Sequence, residues 1–355
     1  MTDTTEVRLS AAEARTLCED LLRQLGVADD EAKLTANTLV EASLRGVDSH
    51  GITLLPIFAE RIRSGQIRPG RHPFIRREEP STAWMDGQQG LGPPLATTAM
   101  ALAAQKAECT GIGAVSLQDS NYVGALAPYV EVPAREGLFA LAAANATPRV
   151  APHGGREGLH GTNPIAWAAP ADGDPVVFDA ATAHAAARIG QAADEGLPIP
   201  SGMALDAGGE PTTDAVAATT GTLLPVGGAF GYGLGLLVDV LTGGLAAAPM
   251  GRGVPLVTAL DGPYGCSFFA LVIDPQRFGG AVQMATGVSG LREAARNTVP
   301  VAGVDGVRAP GDRAARTRAE RLVSGIPMAR SRWQALLDRL AASGLDTSAV
   351  RPGGN

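Results

Sequence analysis

The stretch Gly46-Val47-Asp48-Ser49-His50-Gly51 decides how this chain is read. It follows a segment, Asp29 to Leu44, in which Ala32, Ala36, Leu39 and Val40 recur at three- and four-residue spacing, the period of an amphipathic helix. Gly46 is placed to stop that helix. Asp, Ser and His in succession at a helix end offer an imidazole with polar groups beside it, which suits a proton donor working near neutral pH. The same residues also read as an N-cap, with Asp48 or Ser49 opening the next helix and His50 merely exposed. Local chemistry leaves both readings open.

Working outward, Ser10 to Leu25 predicts a helix with Ser10 as N-cap and Glu13 completing a capping box, and Leu54 to Gly65 predicts another. Phe74 to Arg77 and Ala83 to Met85 are strand candidates. A long helix at Pro94 to Cys109 precedes a strand at Gly113 to Leu117, a corner at Asp119 to Ala125, a helix to Glu136 and a strand at Leu138 to Ala144. That alternation predicts an α/β fold. Pro152 to Gly158 and His160 to Pro164 are loops. Ile165 to Ala169 and Val176 to Asp179 follow as strands, and Ala183 to Ala193 as a helix. A loop then runs through Pro211-Thr212-Thr213-Asp214, before a helix ending near Leu241, a strand at Phe268 to Ile273, and helices at Asp312 to Val323 and Ser331 to Ala342.

The net charge of -7 and the lack of basic runs argue against nucleic acid as a partner, which needs clustered Lys and Arg. Cys18, Cys109 and Cys266 are too scattered for a disulfide framework or a metal site, which favours a reducing cytoplasm. Met1 to Val7 is polar and acidic, unlike a signal peptide. The most apolar run, Gly231 to Ala248, is Gly-rich and carries Asp239, so it reads as buried core and no membrane contact is expected. No Gly-x-Gly-x-x-Gly follows a strand, and there is neither a Walker-type loop nor a Gly-x-Ser-x-Gly elbow. Gly231-Tyr232-Gly233-Leu234-Gly235 serves either close helix packing or the approach of a phosphate. His153 and His160 flank a loop with nothing nearby to complete a metal site, so no metal is expected.

Several motifs in one order resemble the malate/L-lactate dehydrogenase family that lacks a Rossmann fold, which includes ureidoglycolate, 2,3-diketogulonate and piperideine-2-carboxylate reductases. They are Gly46 to Gly51, Gly154-Gly155, Gly161-Thr162-Asn163-Pro164-Ile165-Ala166, Asp179-Ala180-Ala181-Thr182, Pro211-Thr212-Thr213-Asp214, Gly231-Tyr232-Gly233-Leu234, Arg308-Ala309-Pro310-Gly311 and Gly325-Ile326-Pro327. The resemblance covers nearly the whole chain. It implies a mixed-sheet α/β fold with packed terminal helices, divided into a helical part at 1–75 that packs with 305–355 and an α/β core at 76–304. It also implies a homodimer, in line with the prevalence of two-fold symmetry. In the family a Ser-His pair like Ser49-His50 donates the proton, an acidic residue assists it, and NAD(P)H hands hydride to a 2-oxo acid or cyclic imine.

Carried over residue by residue, the resemblance makes Ser49, His50 and Tyr122 catalytic, with Asp194 or Glu195 as the acidic partner. Leu54 and Thr162 fall at substrate positions. Tyr122, Val123, Gly124, Ala125, Asp179, Ala181, Thr182, Phe230, Gly231, Pro310 and Gly311 fall at cofactor positions. The chain departs from the family at several of these. Tyr122 stands where the family has His in Ser-Asn-His-Phe-Gly, and Leu54 stands where an Arg holds the substrate carboxylate. Ala229-Phe230 replaces His-Lys before Gly-Tyr-Gly, and Ala187-Arg188 replaces a Gly-Lys. These losses strip charge from both sides of the site. The reading they favour is a repurposed cytoplasmic enzyme of specialised metabolism, with a small-molecule substrate and no working nicotinamide site. Its His50 would carry out non-redox cyclisation, isomerisation or elimination. The alternative is an NAD(P)H-dependent reductase of a 2-oxo acid, ketone or cyclic imine. A non-catalytic binding protein is the third option.

Overall fold

Helix α1 (Ala11–Gln24) starts where the Ser10 hydroxyl accepts the Glu13 amide and the Glu13 carboxylate accepts that of Ser10, satisfying two amides that a helix start leaves free. Helices α2 (Asp29–Leu44) and α3 (Leu55–Arg63) follow, and their apolar faces close into one core around Leu22, Leu39, Leu44 and Phe58. The structure, a computed structural model, describes residues 6–348. Residues 1–5 and 349–355, the outer ends of the terminal segments predicted at 1–75 and 305–355, lie outside the described residues.

The far end of the chain completes this helical core. Strand β1 (Glu6–Leu9) pairs antiparallel with the last strand, β12 (Ile326–Ala329), Glu6 facing Ala329 and Leu9 facing Ile326. Trp333, Leu336 and Leu340 of the last helix, α11 (Arg330–Ala342), join Leu21 and Phe58 in one cluster. Helix α10 (Asp312–Ser324) lies against α2, with Arg318 Nε 2.8 Å from a Glu41 carboxylate oxygen.

Between these ends runs a seven-stranded sheet built from β2 (Phe74–Glu78), β3 (Thr82–Asp86), β4 (Ile112–Ser120), β5 (Phe139–Ala144), β6 (Ile165–Ala169), β7 (Val176–Ala180) and β11 (Cys266–Ile273), in the order β2-β3-β4-β11-β5-β6-β7. Of the neighbouring strands in this sheet only β3 and β4 run parallel; they are joined by helix α4 (Gly92–Thr110). Strand β11 reads Cys-Ser-Phe-Phe-Ala-Leu-Val-Ile, a run without polar alternation, as a strand covered on both faces requires. Helix α4 rests directly on β4 at Gly113, where a Cβ would lie 1.9 Å from the Ala103 carbonyl oxygen. Helix α5 (Ala127–Arg135) covers the neighbouring strands. The sheet is mixed and has no succession of two βαβαβ halves, so this is the non-Rossmann α/β fold the sequence implies.

A third, smaller core holds Val150, Ile189, Met203, Ala204 and Leu223. It gathers helix α6 (Ala186–Asp194), strands β8 (Ala204–Leu205), β9 (Pro211–Thr212) and β10 (Thr222–Leu223), and helix α7 (Ala215–Thr219). Helix α6 begins three residues later than its composition suggests, because Ala183 forms a bridge with Pro225 and the His184 amide bonds to the Leu224 carbonyl. Helix α8 (Ala229–Asp239) and a π turn at Val240–Gly244 account for the apolar run at 231–248. That run is buried on one side only: Leu237, Val240 and Leu245 face solvent, 43%, 55% and 58% exposed. Helix α9 (Ala281–Arg296) buries none of its residues. Among the described residues, no helix is long and apolar enough to cross a membrane.

Phe58 is fully buried in the core that α1 to α3 share with α11. Phe58→Ala should therefore lower unfolding free energy by about 3–5 kcal/mol. A shift in the urea midpoint at constant slope would show it, whereas a midpoint equal to the parent's would deny this core its role.

Candidate active-site cleft

Helix α2 ends at Gly46, whose φ of +76° an L-residue with a Cβ adopts only under strain. The chain then makes two successive 3-10 turns, Asp48–His50 and Ile52–Leu54. Asp48 does not cap a following helix. Its two carboxylate oxygens take a forked pair of bonds from Arg321 of α10, at 2.6 and 3.1 Å. The Ser43 hydroxyl accepts the Ile52 amide at 3.1 Å on the other side of the turn. Within this fixed turn Ser49 Oγ lies 2.9 Å from His50 Nδ1, which leaves Nε2 as the nitrogen open to a ligand. Burial holds the His50 imidazole below its usual range, since a low dielectric disfavours the charged form.

Tyr122 faces it, with ring centroids 6.1 Å apart. Its backbone is set by Asn121, whose Oδ1 accepts both the Tyr122 amide at 3.0 Å and Arg61 Nη1 at 2.7 Å. The same corner presses on the start of α4: a Cβ on Gly92 would lie 2.2 Å from the Tyr122 carbonyl oxygen. Burial raises the Tyr122 phenol pKa, so it remains a neutral hydroxyl across the physiological range.

Ser49, His50, Tyr122, Gly124, Ala125, Thr162, Asp179 and Ala181 line one cleft of about 330 Å³. Asp179 is already engaged, its Oδ2 accepting the Leu126 and Ala127 amides at 2.8 Å each, where β7 meets the start of α5. Thr182 lies just behind, buried, its hydroxyl bonding to the carbonyls of Thr162 and Asn163 at 3.1 Å. The cleft also takes Arg149, Val257 and Tyr264, which sit in segments whose sequence carries no motif. A lone arginine after a proline gives no periodic signal, so Arg149 was not legible.

Other expected site residues lie elsewhere. Leu54 is buried in the helical core, because its side chain follows the apolar face that enters α3. Asp194 is on the surface with Arg332 Nη2 at 3.4 Å, and Glu195 accepts a bond from Gln191; neither lines the cleft. No carboxylate bonds to His50 among the described residues; its partner is Ser49. Val123 points into the sheet core. Phe230 is 73% exposed and outside the cleft, as is Gly231, which is buried against the loop before α8. Pro310 is exposed, and Gly311 packs against β7, where a Cβ would meet the Val177 carbonyl at 2.6 Å. His160 is a core residue, its Nδ1 2.7 Å from the Gly161 carbonyl and its ring 5.9 Å from that of Tyr232.

The malate/L-lactate dehydrogenase family model matches residues 9–337. The chain belongs to this family. It is 36% identical over 273 residues to a malate/(S)-sulfolactate dehydrogenase of Methanothermus fervidus, covering 76% of this chain and 80% of that one. It is 38% identical over 245 residues to a (2R)-3-sulfolactate dehydrogenase (NADP(+)) of Chromohalobacter salexigens, covering 68% and 73%. The solved sulfolactate dehydrogenase of Methanocaldococcus jannaschii superposes with a TM-score of 0.89 at 32% identity, over 96% of this chain and 98% of that one. These relatives carry dehydrogenase names, and that overturns the expectation of a scaffold turned to cyclisation, isomerisation or elimination. The inference from lost charge was at fault. Leu54 and Phe230 lie outside the cleft, so their identities say little about what the cleft holds.

The residues present fit a nicotinamide dinucleotide. Through Val47, Ser49, Ala185 and Ala187 the cleft continues into a second cavity of about 680 Å³. Arg188 and Arg313 line that cavity, exposed, suited to a pyrophosphate or a ribose phosphate.

His50 should titrate below the ordinary imidazole value of about 6.5. In this pH window the unfolded chain binds the proton more readily, so stability falls as pH drops below that value and levels off once folded His50 is also protonated. An NMR titration of the His50 ring checks this; a midpoint at or above the ordinary value would show that burial does not govern it.

Proposed function

We propose that the protein is an NAD(P)-dependent dehydrogenase that interconverts a 2-hydroxy acid and its 2-oxo acid. The observation that supports this most directly is the Ser49–His50 pair, 2.9 Å apart, facing Tyr122 in a cleft continuous with an arginine-lined cavity. The coenzyme, when bound, accepts hydride from the hydroxyl-bearing carbon or in its reduced form returns it. His50 Nε2 takes the hydroxyl proton as the alcohol becomes a carbonyl, and gives one back in reduction. Ser49 fixes the ring through Nδ1. Tyr122, held as a phenol, donates a hydrogen bond to the substrate oxygen and covers the imidazole from water. A lowered His50 pKa suits the base role at neutral pH, since the free imidazole then predominates.

The protein is further read as a cytoplasmic homodimer. Cys18, Cys109 and Cys266 are all free thiols. Helix α8 and the π turn leave Phe230, Leu237, Val240 and Leu245 uncovered on one stripe, which suits a two-fold contact. Light scattering at low micromolar concentration should give twice the mass of one chain; a single-chain mass removes that reading.

Titrating the protein with NADH and NADPH while following nicotinamide fluorescence should show saturable binding at micromolar concentration, and a silent titration up to millimolar coenzyme would reject the dehydrogenase. Oxidation of a 2-hydroxy acid should rise with pH through a pKa below the ordinary imidazole value and then level off. His50→Ala should lower kcat by on the order of a hundredfold or more and remove that limb. Retention of the limb in the variant would move the base elsewhere.

A further inference from the structure

We propose that Arg149 is the group that holds the substrate carboxylate, and that the substrate is a 2-hydroxy or 2-oxo monocarboxylic acid with an uncharged side chain. This rests on the dehydrogenase reading and adds to it the substrate class and a specificity-determining residue.

Four observations converge on Arg149. It is the only Lys or Arg lining the His50–Tyr122 cleft among the described residues. Its side chain is exposed and makes no hydrogen bond or ion pair with another described residue, so the guanidinium is available to a ligand. Its backbone is nonetheless pinned on both sides, the amide bonding to the His160 carbonyl and the carbonyl accepting the Leu223 amide, both at 2.9 Å. And the one carboxylate in the cleft, Asp179, is committed to the Leu126 and Ala127 amides. The cleft thus offers one positive fork on a fixed stem. A guanidinium matches a carboxylate with two parallel N–H···O bonds, and in doing so orients the adjacent carbon.

The rest of the wall sets the side-chain class. Val47, Ala146, Val257 and the ring of Tyr264 are apolar, and no second cation stands among them. Buried Arg61 lies behind Tyr264, its guanidinium 3.9 Å from that ring centroid, and does not line the cleft. A second anionic group on the substrate would lose its hydration here without a partner, whereas an alkyl or aryl group would gain buried area. Arg188 and Arg313 belong to the adjoining cavity and are left to the coenzyme phosphates.

The test uses the full chain with saturating NADPH or NADH and three probes: 2-oxobutanoate, its methyl ester and oxaloacetate. Arg149→Gln should reduce kcat/KM for 2-oxobutanoate by on the order of tenfold to a hundredfold, mostly through KM, as expected for a lost charged hydrogen-bond pair. It should change the ester by less than about threefold, and Arg149→Lys should recover part of the loss for the acid. Wild type should prefer 2-oxobutanoate to oxaloacetate. NADPH affinity, read by fluorescence, should be the same in Arg149→Gln. An unchanged acid-to-ester ratio in the variant, or a loss of NADPH affinity in place of acid affinity, overturns the assignment. A clear wild-type preference for oxaloacetate overturns the single-anion class. Should the wild type reduce none of the probes, the dehydrogenase reading itself fails. Calorimetry with oxamate then still decides on Arg149: binding at least tenfold weaker in Arg149→Gln sustains the carboxylate contact, and equal binding ends it.

Discussion

One guanidinium holds the cleft together. Arg61 of α3 is 1% exposed, yet among the described residues no carboxylate pairs with it. Its Nη1 donates to Asn121 Oδ1 at 2.7 Å, its Nη2 reaches the Val257 carbonyl at 3.3 Å, and its plane lies over the Tyr264 ring. A buried charge is tolerated only where neutral acceptors and a π face replace its hydration. Those replacements come from two segments distant from α3 in sequence: the corner after β4 at Asn121, and the loop before β11 that carries Val257 and Tyr264. That cost is offset only when both are in place, and these are the segments that present Tyr122 and the far wall to His50. Nε of Arg61 already has no partner among the described residues, so losing either carbonyl-type acceptor would leave a second buried N–H unpaired, and this ties the helical core to the sheet at the cleft.

The charges around the site divide the labour by geometry. Arg321 and Arg61 face inward and fix backbone; Arg149, Arg188 and Arg313 are exposed on cavity walls. Arginine suits both uses, because its planar fork keeps its charge whether it bonds to a carbonyl, a carboxylate or a phosphate. His50 lies between these two sets, its free base favoured by burial and its hydrogen-bond partner among the described residues a hydroxyl.

Much of the fold was legible because its elements are long and periodic. Helix α2 runs over the residues its apolar spacing marks, and the Ser10–Glu13 box starts α1 where two side chains can cap it. One long element escaped, helix α9, whose 16 residues bury none of their side chains and so carry no buried apolar stripe to mark them; the rest of what escaped was short. Strands β1, β8, β9 and β10 have two to four residues, too few to show alternation, and they exist because distant partners supply the bonds. The site was half legible. Ser49, His50, Tyr122 and Thr162 converge as the motifs imply. Leu54, Asp194 and Phe230 do not, since motif position says which turn a residue occupies and not which way its side chain leaves that turn. Arg149 escaped for the opposite reason: its turn has no motif, and only tertiary placement shows what it faces.

The clamp between Arg321 and Asp48 spans 273 positions, and strand β1 pairs with residues 326–329. Contacts of such separation form late, after local helices and the sheet, because loop closure precedes any gain from them. As the chain leaves the ribosome, α1 to α3 emerge with an open apolar face that Trp333, Leu336 and Leu340 will cover only when synthesis is nearly done. The Arg321 fork on Asp48, beside His50, cannot form before α10 has emerged. A nascent or prematurely ended chain thus has the histidine but not the clamp beside it, and the turn gains its full set of contacts only when the last two helices dock.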